Sequence, residues 1–476
     1  MARTRVVVVG GGISGLAAAW HLRRGNPDLD LVVLDGGDAP GGKLRRAELA
    51  GVGIDVGAES ILARRPEGTD LARAVGLTDR LTHPVIMAAS IWSRGVLHPM
   101  PAGTLMGVPS NPSAALGVLD AQEIAWAEGE RHRPLEATLE DLSVGEYVSA
   151  RVGSAVVDRL VEPLLGGVYA GHAHQLSLRA TMPQLWAAAT AGESATAAAE
   201  RACSIGSLNH TPVFAGLVGG VGALADELVK SLLALGAQIR SGTVVRELQR
   251  AAVEGRHGWS LTTGSVPAPV VYKADAVVIA VPAAPAAKLL APQIPYAAIE
   301  LGAIAYASMA IVSVALPRDG LPRLPGSGFL VPPVDGRAVK ASTFTSNKWS
   351  WVADMAPDLF ILRASLGRTG EEALLQRSDG DLVRLVLAEL AEALGGKVPT
   401  PVDTHVQRWG GALPQYAVGH VDRVARIREA VAQVPGLEVA GAAYEGIGIP
   451  ACIASGRRAA EAILTHLRGG PALAPE

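Results

Sequence analysis

The sequence predicts an α/β protein: a discontinuous Rossmann-like nucleotide-binding domain, a mixed-sheet domain and a helical domain. Three observations carry this. Four valines, Val6 to Val9, run directly into Gly10-x-Gly12-x-x-Gly15 and a helical stretch. A second apolar run, "LDLVVLD", ends on Asp35, 20 residues after Gly15. Far down the chain, "YEGIGIPACIASG", Tyr444 to Gly456, offers another glycine loop opening a helix.

The elements follow in order. An unbroken valine run is expected of a strand buried on both faces. Ile13 to Arg24 reads as a helix with Leu16, Ala17 and Trp20 inward, and Leu29 to Asp35 as a second buried strand, a βαβ-like opening. Arg3 and Arg5 before an apolar run imitate a signal peptide. A buried first strand is the better reading, because cleavage would remove three consecutive glycines. From Leu81 to Pro212 the chain turns mostly helical after the proline-punctuated "HPMPAGTLMGVPSNPSA", with helical stretches such as Ser143 to Leu165 and Pro183 to Ala202. "FAGLVGGVGALADELVKSLLALGAQIRSGTVVREL" returns to helix and strand, and "ADAVVIAVP", Ala274 to Pro282, is another buried strand. Pro285 to Thr404 mixes strands with a helix at Asp379 to Leu394. The tail, Leu437 to Leu467, reads strand, glycine loop, helix. Leu301 to Leu316 comes nearest to a membrane span, but its 16 residues fall short of one and read as two buried strands.

The totals narrow the function classes. With 476 residues, more than one core is expected. At 49% hydrophobic and 18% charged, the chain is globular rather than disordered. With a net charge of -3 and scattered basic residues, nothing suggests a nucleic-acid surface and none is expected. Cys203 and Cys452 form no CxxC pair, so neither a disulfide framework nor a zinc site is expected, and a reducing cytoplasm fits.

The first glycine motif has a physical reading. Gly10 permits the tight turn, Gly12 the close approach of a pyrophosphate, and Gly15 the packing of helix on strand. Gly11, Ile13 and Ser14 complete the loop and first turn, whose free N–H groups face the phosphates. Asp35, followed by Gly36, stands where a carboxylate accepts from a ribose hydroxyl. The fingerprint alone does not separate NAD from FAD. A further turn, Gly41-Gly42-Lys43, points to FAD. After a short strand, Asp55 is expected to bond nearby backbone N–H groups, while Gly57, Ala58, Glu59 and Ser60 run along the flavin face.

On "VVVVGGGISGLAAAW", "GGKLR", "GAES", "LHPMPAG", "VEPLLGGVYAGHAHQLS", "RWGGALPQYAVGH" and "AYEGIGIPACIASG", the chain resembles the oxygen-dependent, FAD-containing protoporphyrinogen/coproporphyrinogen oxidases of haem biosynthesis, in the flavin amine oxidase superfamily. "HPMP" and "PQYAVGH" look closest to the bacterial branch that forms coproporphyrin III. The resemblance covers almost the whole length. It implies an FAD-binding domain from residues 1–80, 213–284 and 405–476, a substrate domain from 81–105 and 285–404, and a helical domain from 106–212.

It further implies an extended FAD with its pyrophosphate on the first loop and its isoalloxazine at Ile447, Gly448 and Ile449, facing a helix from Pro450. That helix end would favour the anionic reduced flavin by about 0.3–1 kcal/mol. Val245 is implied on the adenine side and Trp409 near the flavin. Cys452 lies beyond the glycine loop, so noncovalent FAD is expected. The implied reaction takes coproporphyrinogen III to coproporphyrin III by three hydride transfers to FAD, with oxygen as acceptor and three hydrogen peroxides released. The flavin performs the redox step, so no catalytic acid or base is assigned. His98, His172, His174 and His420 read as packed or surface histidines. Arg64, Arg65, Lys348 and Arg363 are the candidate partners for propionates, and Tyr169 for the macrocycle. His172 stands where family members often carry an acidic residue after "YAG", leaving the local charge pattern open. A ferrochelatase is an implied partner, and peripheral membrane contact stays open. Alternative readings are a protoporphyrinogen IX oxidase, a flavin amine oxidase, a carotenoid desaturase, or a flavoprotein that holds porphyrin without turning it over.

Overall fold

The structure, a computed structural model, describes residues 3–133, 136–208, 212–253, 256–322 and 324–469. A five-stranded parallel sheet is assembled from distant parts of the chain. Its spatial order is Gln238–Arg240, Asp30–Leu34, Arg5–Val9, Ala276–Ile279 and Leu437–Val439. The valine run lies at its centre. Val6 and Val8 face a core shared with the helices Ile13–Gly25 and Ile449–Arg468. Val7 and Val9 face another with Val32, Leu34 and Trp259. A residue apolar on both faces is what a central parallel strand requires. The second core is closed by the antiparallel strands Glu247–Val253, Arg256–Ser265 and Ala268–Ala274.

A seven-stranded mixed sheet runs Asp403–Pro414, Tyr306–Pro317, Leu359–Leu366, Val339–Thr343, Gly328–Leu330, Ser90–Ser93, Val96–Pro99. Only the pair Gly328–Leu330 and Ser90–Ser93 is parallel. The helix Asp379–Ala393 packs against it through Leu382, Val386 and Leu390. The helical region gathers around Glu130, fully buried and bonded to Arg151, Ser194 and the Ala195 N–H.

Local readings needed correction in three places. Leu301 to Leu316 is not two strands: the helix Pro295–Gly302 ends there and one 12-residue strand, Tyr306–Pro317, follows. Flanked by two strands, that strand is buried over most of its length, so its composition matches a buried helix. The stretch from Ser143 breaks at Gly153, whose φ of +98° a helix does not accept. The stretch Pro183 to Ala202 divides into Pro183–Thr190 and Ala195–Leu208. Among the described residues, no helix is long and apolar enough to cross a membrane.

Candidate functional site

Two long helices begin at glycines with no side-chain cap: Ile13–Gly25 after Gly12, and Ile449–Arg468 after Gly448. Each leaves orphan N–H groups at its positive end, a ready anion site. A Cβ on Gly12 would meet nothing within 4 Å, so the space above that end is open. The neighbouring glycines are tight instead. Gly10 has φ +107°, and a Cβ there would sit 2.5 Å from the Ala280 carbonyl oxygen. One on Gly15 would sit 1.9 Å from the Gly10 carbonyl oxygen. The two helices pack face to face, and at Gly456 a Cβ would lie 2.2 Å from the Ser14 carbonyl oxygen.

A seam of backbone contacts joins the sequence-predicted positions. Asp35 accepts the Gly11 N–H, and the Gly37 N–H at 2.6 Å. The Gly41 N–H donates to the Gly11 carbonyl at 2.8 Å, stitching the second turn to the first loop. The Ala58 N–H donates to the Lys43 carbonyl at 3.0 Å. Burial lowers the Lys43 ammonium pKa, and no carboxylate among the described residues pairs with it within 4.0 Å. Trp409 donates Nε1–H to the Val56 carbonyl at 2.8 Å and lies against Gly57, where a Cβ would meet its Cζ2 at 3.2 Å. Val245 packs in the core with Val32 and Leu34, and Gly36 lies beside Val244. At the far end, Ile447 packs against the helical core. Cys452 is buried, its thiol pKa raised by desolvation, with Sγ 3.7 Å from the Ile447 carbonyl oxygen.

Asp55 is structural, but its partners are remote. It accepts from the N–H groups of Val221 at 2.7 Å and Gly222 at 2.9 Å, 166 and 167 positions downstream. Burial raises its carboxyl to about 6 despite those bonds.

Beside it stands a cluster that sequence reasoning missed. Glu59 accepts Trp349 Nε1–H at 2.6 Å and lies 3.6 Å from Lys348 Nζ and 3.4 Å from Arg363 Nη1. Lys348 also donates to Ser60 Oγ at 2.9 Å. Arg363 donates to the carbonyls of Asp55 at 3.0 Å and Gly57 at 2.8 Å. Burial pushes the Glu59 carboxyl up, but Lys348 and Arg363 together bring it below the ordinary carboxylate value. Lys348 and Arg363 therefore face an internal carboxylate, whereas Arg64 is exposed and Arg65 pairs with Glu67 at 2.7 Å. A small cavity adjoins the cluster, lined by Asp55, Glu59, Ser313, Thr345, Trp349 and Arg363 among others.

Tyr169 is buried, with its ring 5.6 Å from that of Tyr416 and its carbonyl accepting Gln415 Nε2–H at 2.8 Å. Its helix exits through Ala170 in the left-handed conformation, φ +51°. His172 lies 3.6 Å from Glu162, which raises its pKa, so the basic residue after "YAG" has its own carboxylate. His174 packs against Gly145. His420 is buried, pushed down to about 4 by desolvation, with Nε2 3.1 Å from the Tyr444 carbonyl oxygen.

The chain matches the model of the flavin containing amine oxidoreductase family over residues 13–464. It belongs to that family. Its cofactor is a flavin, and the two uncapped helix ends and the open space over Gly12 fit such a group. The chain is similar to coproporphyrinogen III oxidases of Mycobacterium leprae, 38% identical with 96% of this chain and 97% of the relative covered, and of Bacillus subtilis, 32% identical with 98% and 99% covered. It is also similar to a solved structure from Exiguobacterium sp. 255-15, provisionally described as a protoporphyrinogen oxidase, with TM-score 0.84, 33% identity and 98% and 99% covered. The fold extends to a cyclohexylamine oxidase from Brevibacterium oxydans at TM-score 0.69 and 16% identity, covering 98% of this chain and all of that one.

Proposed function

We propose that this chain is an oxygen-dependent oxidase that converts coproporphyrinogen III to coproporphyrin III on noncovalently held FAD. The observation that carries it is the pair of glycine-led, uncapped helix N-termini at Gly12 and Gly448, brought into one packed unit. One end suits a pyrophosphate and the other a flavin ring that becomes anionic on reduction. The names of the Mycobacterium and Bacillus relatives supply the substrate class. Held there, a flavin would supply hydride acceptance from the bridging carbons of the porphyrinogen, three times per macrocycle, with oxygen as the final acceptor and one hydrogen peroxide formed each time.

The protein's part is to bind and orient. Gly10 to Gly15 cradle the phosphates, Asp35 takes the ribose, and Gly57 to Ser60 with Trp409 line the ring. Glu59 holds that lining against the mixed sheet through Lys348 and Arg363. Because those two cations already face Glu59 and Arg65 pairs with Glu67, Arg64 is the propionate partner we favour, with Tyr169 against the macrocycle. Cys452 is buried on the last helix beside the Gly446 and Ile447 carbonyls, which supports noncovalent flavin. Residence in the cytoplasm, with product passing to a ferrochelatase, completes the reading.

The test is aerobic turnover of coproporphyrinogen III and protoporphyrinogen IX side by side, following porphyrin fluorescence and peroxide against autoxidation controls. Faster coproporphyrinogen turnover with three peroxides per porphyrin is expected. Preference for protoporphyrinogen overturns the substrate assignment, and no flavin reduction by either overturns the activity.

A further inference from the structure

The segment Gln415–Tyr416 joins three parts of the molecule. The Gln415 N–H donates to the Ala305 carbonyl at 2.9 Å, and its side chain to the Tyr169 carbonyl at 2.8 Å. The Tyr416 carbonyl accepts the Ser177 N–H at 2.7 Å, fixing the backbone to the helical region. From this anchored position the Tyr416 side chain, 2% exposed, reaches into the C-terminal loop. Its hydroxyl donates to the Ala442 carbonyl at 2.5 Å and accepts the Gly446 N–H at 2.8 Å. One oxygen thus ties both ends of the turn that leads into Gly448 and the last helix.

The ring is held as firmly as the hydroxyl. It stacks on His420 at 3.9 Å and 13°, and tilts against Tyr169 at 5.6 Å and 55°. His420 Nε2 lies 3.1 Å from the Tyr444 carbonyl, an acceptor, so that nitrogen carries the proton and grips the same turn at its middle. Gly446 has φ +142°, a conformation open to glycine and held here from outside.

We propose that Tyr416 is a positioning residue for the flavin: it sets the Ala442–Gly446 turn that aims the uncapped end of the last helix, and fixes that turn relative to Tyr169. The proposal rests on the flavin reading above. It makes the distance between the cofactor end and the macrocycle end of the site depend on one buried side chain.

The test is Tyr416→Phe in the holoenzyme, which keeps the ring and removes both hydroxyl bonds. Flavin dissociation constant, flavin absorption spectrum and midpoint potential are measured with the thermal midpoint. We expect flavin affinity to fall about 10- to 100-fold, the effect of leaving two half-buried backbone groups without their partner, together with shifts in spectrum and potential. A lowered thermal midpoint with unchanged flavin affinity, spectrum and potential overturns the proposal. Hydrogen exchange of the wild-type holoenzyme decides the matter even where Y416F does not fold. The Gly446 amide should exchange as slowly as the core of the last helix, and exchange at the rate of an exposed loop overturns the proposal. A wild-type protein that neither carries nor takes up flavin refutes the flavin reading and this proposal together, an outcome distinct from a silent Y416F.

Discussion

Replacing Glu59 by Gln isolates the charge that Lys348 and Arg363 share. Glutamine keeps an oxygen for Trp349 Nε1–H, but leaves Lys348 and Arg363 facing each other without a carboxylate. Their side chains are 16% and 15% exposed, so solvent screens little of that charge. Breaking a buried pair costs roughly 3–5 kcal/mol. Arg363 keeps the Asp55 and Gly57 carbonyls and Lys348 keeps Ser60 Oγ, which places the cost near the lower end, about 3 kcal/mol. At about 2.1 cal/mol/K per residue, a chain of this length melting as one unit would lose about 3 °C. Thermal denaturation followed by flavin release reads this. The pH dependence is more specific. The folded Glu59 carboxyl sits below its ordinary 4.5, so its contribution is fully present above that value and is lost as pH falls through the folded value. The gap between wild type and E59Q should therefore be widest near neutrality and close in acid. Equal midpoints at pH 7, or a gap indifferent to acidification, would refute the reasoning. A double-mutant cycle with Arg363→Gln should return a coupling of about 0.5–3 kcal/mol.

Gly15→Ala should give protein that purifies without flavin, because the new Cβ would meet the Gly10 carbonyl at 1.9 Å; a fully yellow G15A rejects the close-approach account. Acid or heat denaturation of the wild type should pass all yellow colour into the filtrate, and Cys452→Ala should behave alike; colour kept on the wild-type chain alone would mean a thioether. His172, raised by Glu162, stabilises the fold fully below its ordinary 6.5 and loses that contribution as pH rises through the folded value. His172→Gln should flatten that decline, by under about 1 kcal/mol since the imidazole is about a third exposed, as urea titrations across pH 6 to 9 will show. Arg64→Ser should raise KM for a tetrapropionate porphyrinogen more than kcat falls, measured under air.

The legible parts of this protein were those whose signal is local. Val6 to Val9 and the Gly10 loop announce a strand buried on both faces and a helix start within a dozen residues, and the structure supplies both. The second loop was equally readable, down to its proline in the first turn. What escaped were pairings fixed only by the fold. Lys348 meets Ser60 across 288 positions, and Arg363 meets Gly57 across 306. From sequence those cations looked free for propionates. The Tyr416 hydroxyl was invisible for the same reason, since its partners lie 26 and 30 positions away on another element. Leu301 to Leu316 failed differently: a helix end and a central strand share one apolar composition, and only sheet pairing separates them.

The central parallel sheet has a consequence for how the molecule is made. Val6 pairs with Ala276, and Arg5 bonds Asp275 across 270 positions. At about 5–20 residues per second, the first valine strand emerges roughly 15 to 50 s before that neighbour exists. The outermost partner, Leu437–Val439, and the helix that covers Val6 and Val8 arrive later still. Through that interval an apolar, unpaired strand edge waits on the ribosome, the arrangement most prone to wrong pairing. Chaperone dependence in the cell, and a slow refolding phase set by late closure of this sheet, are the expected marks of a sheet that stays incomplete until Leu437–Val439 is made.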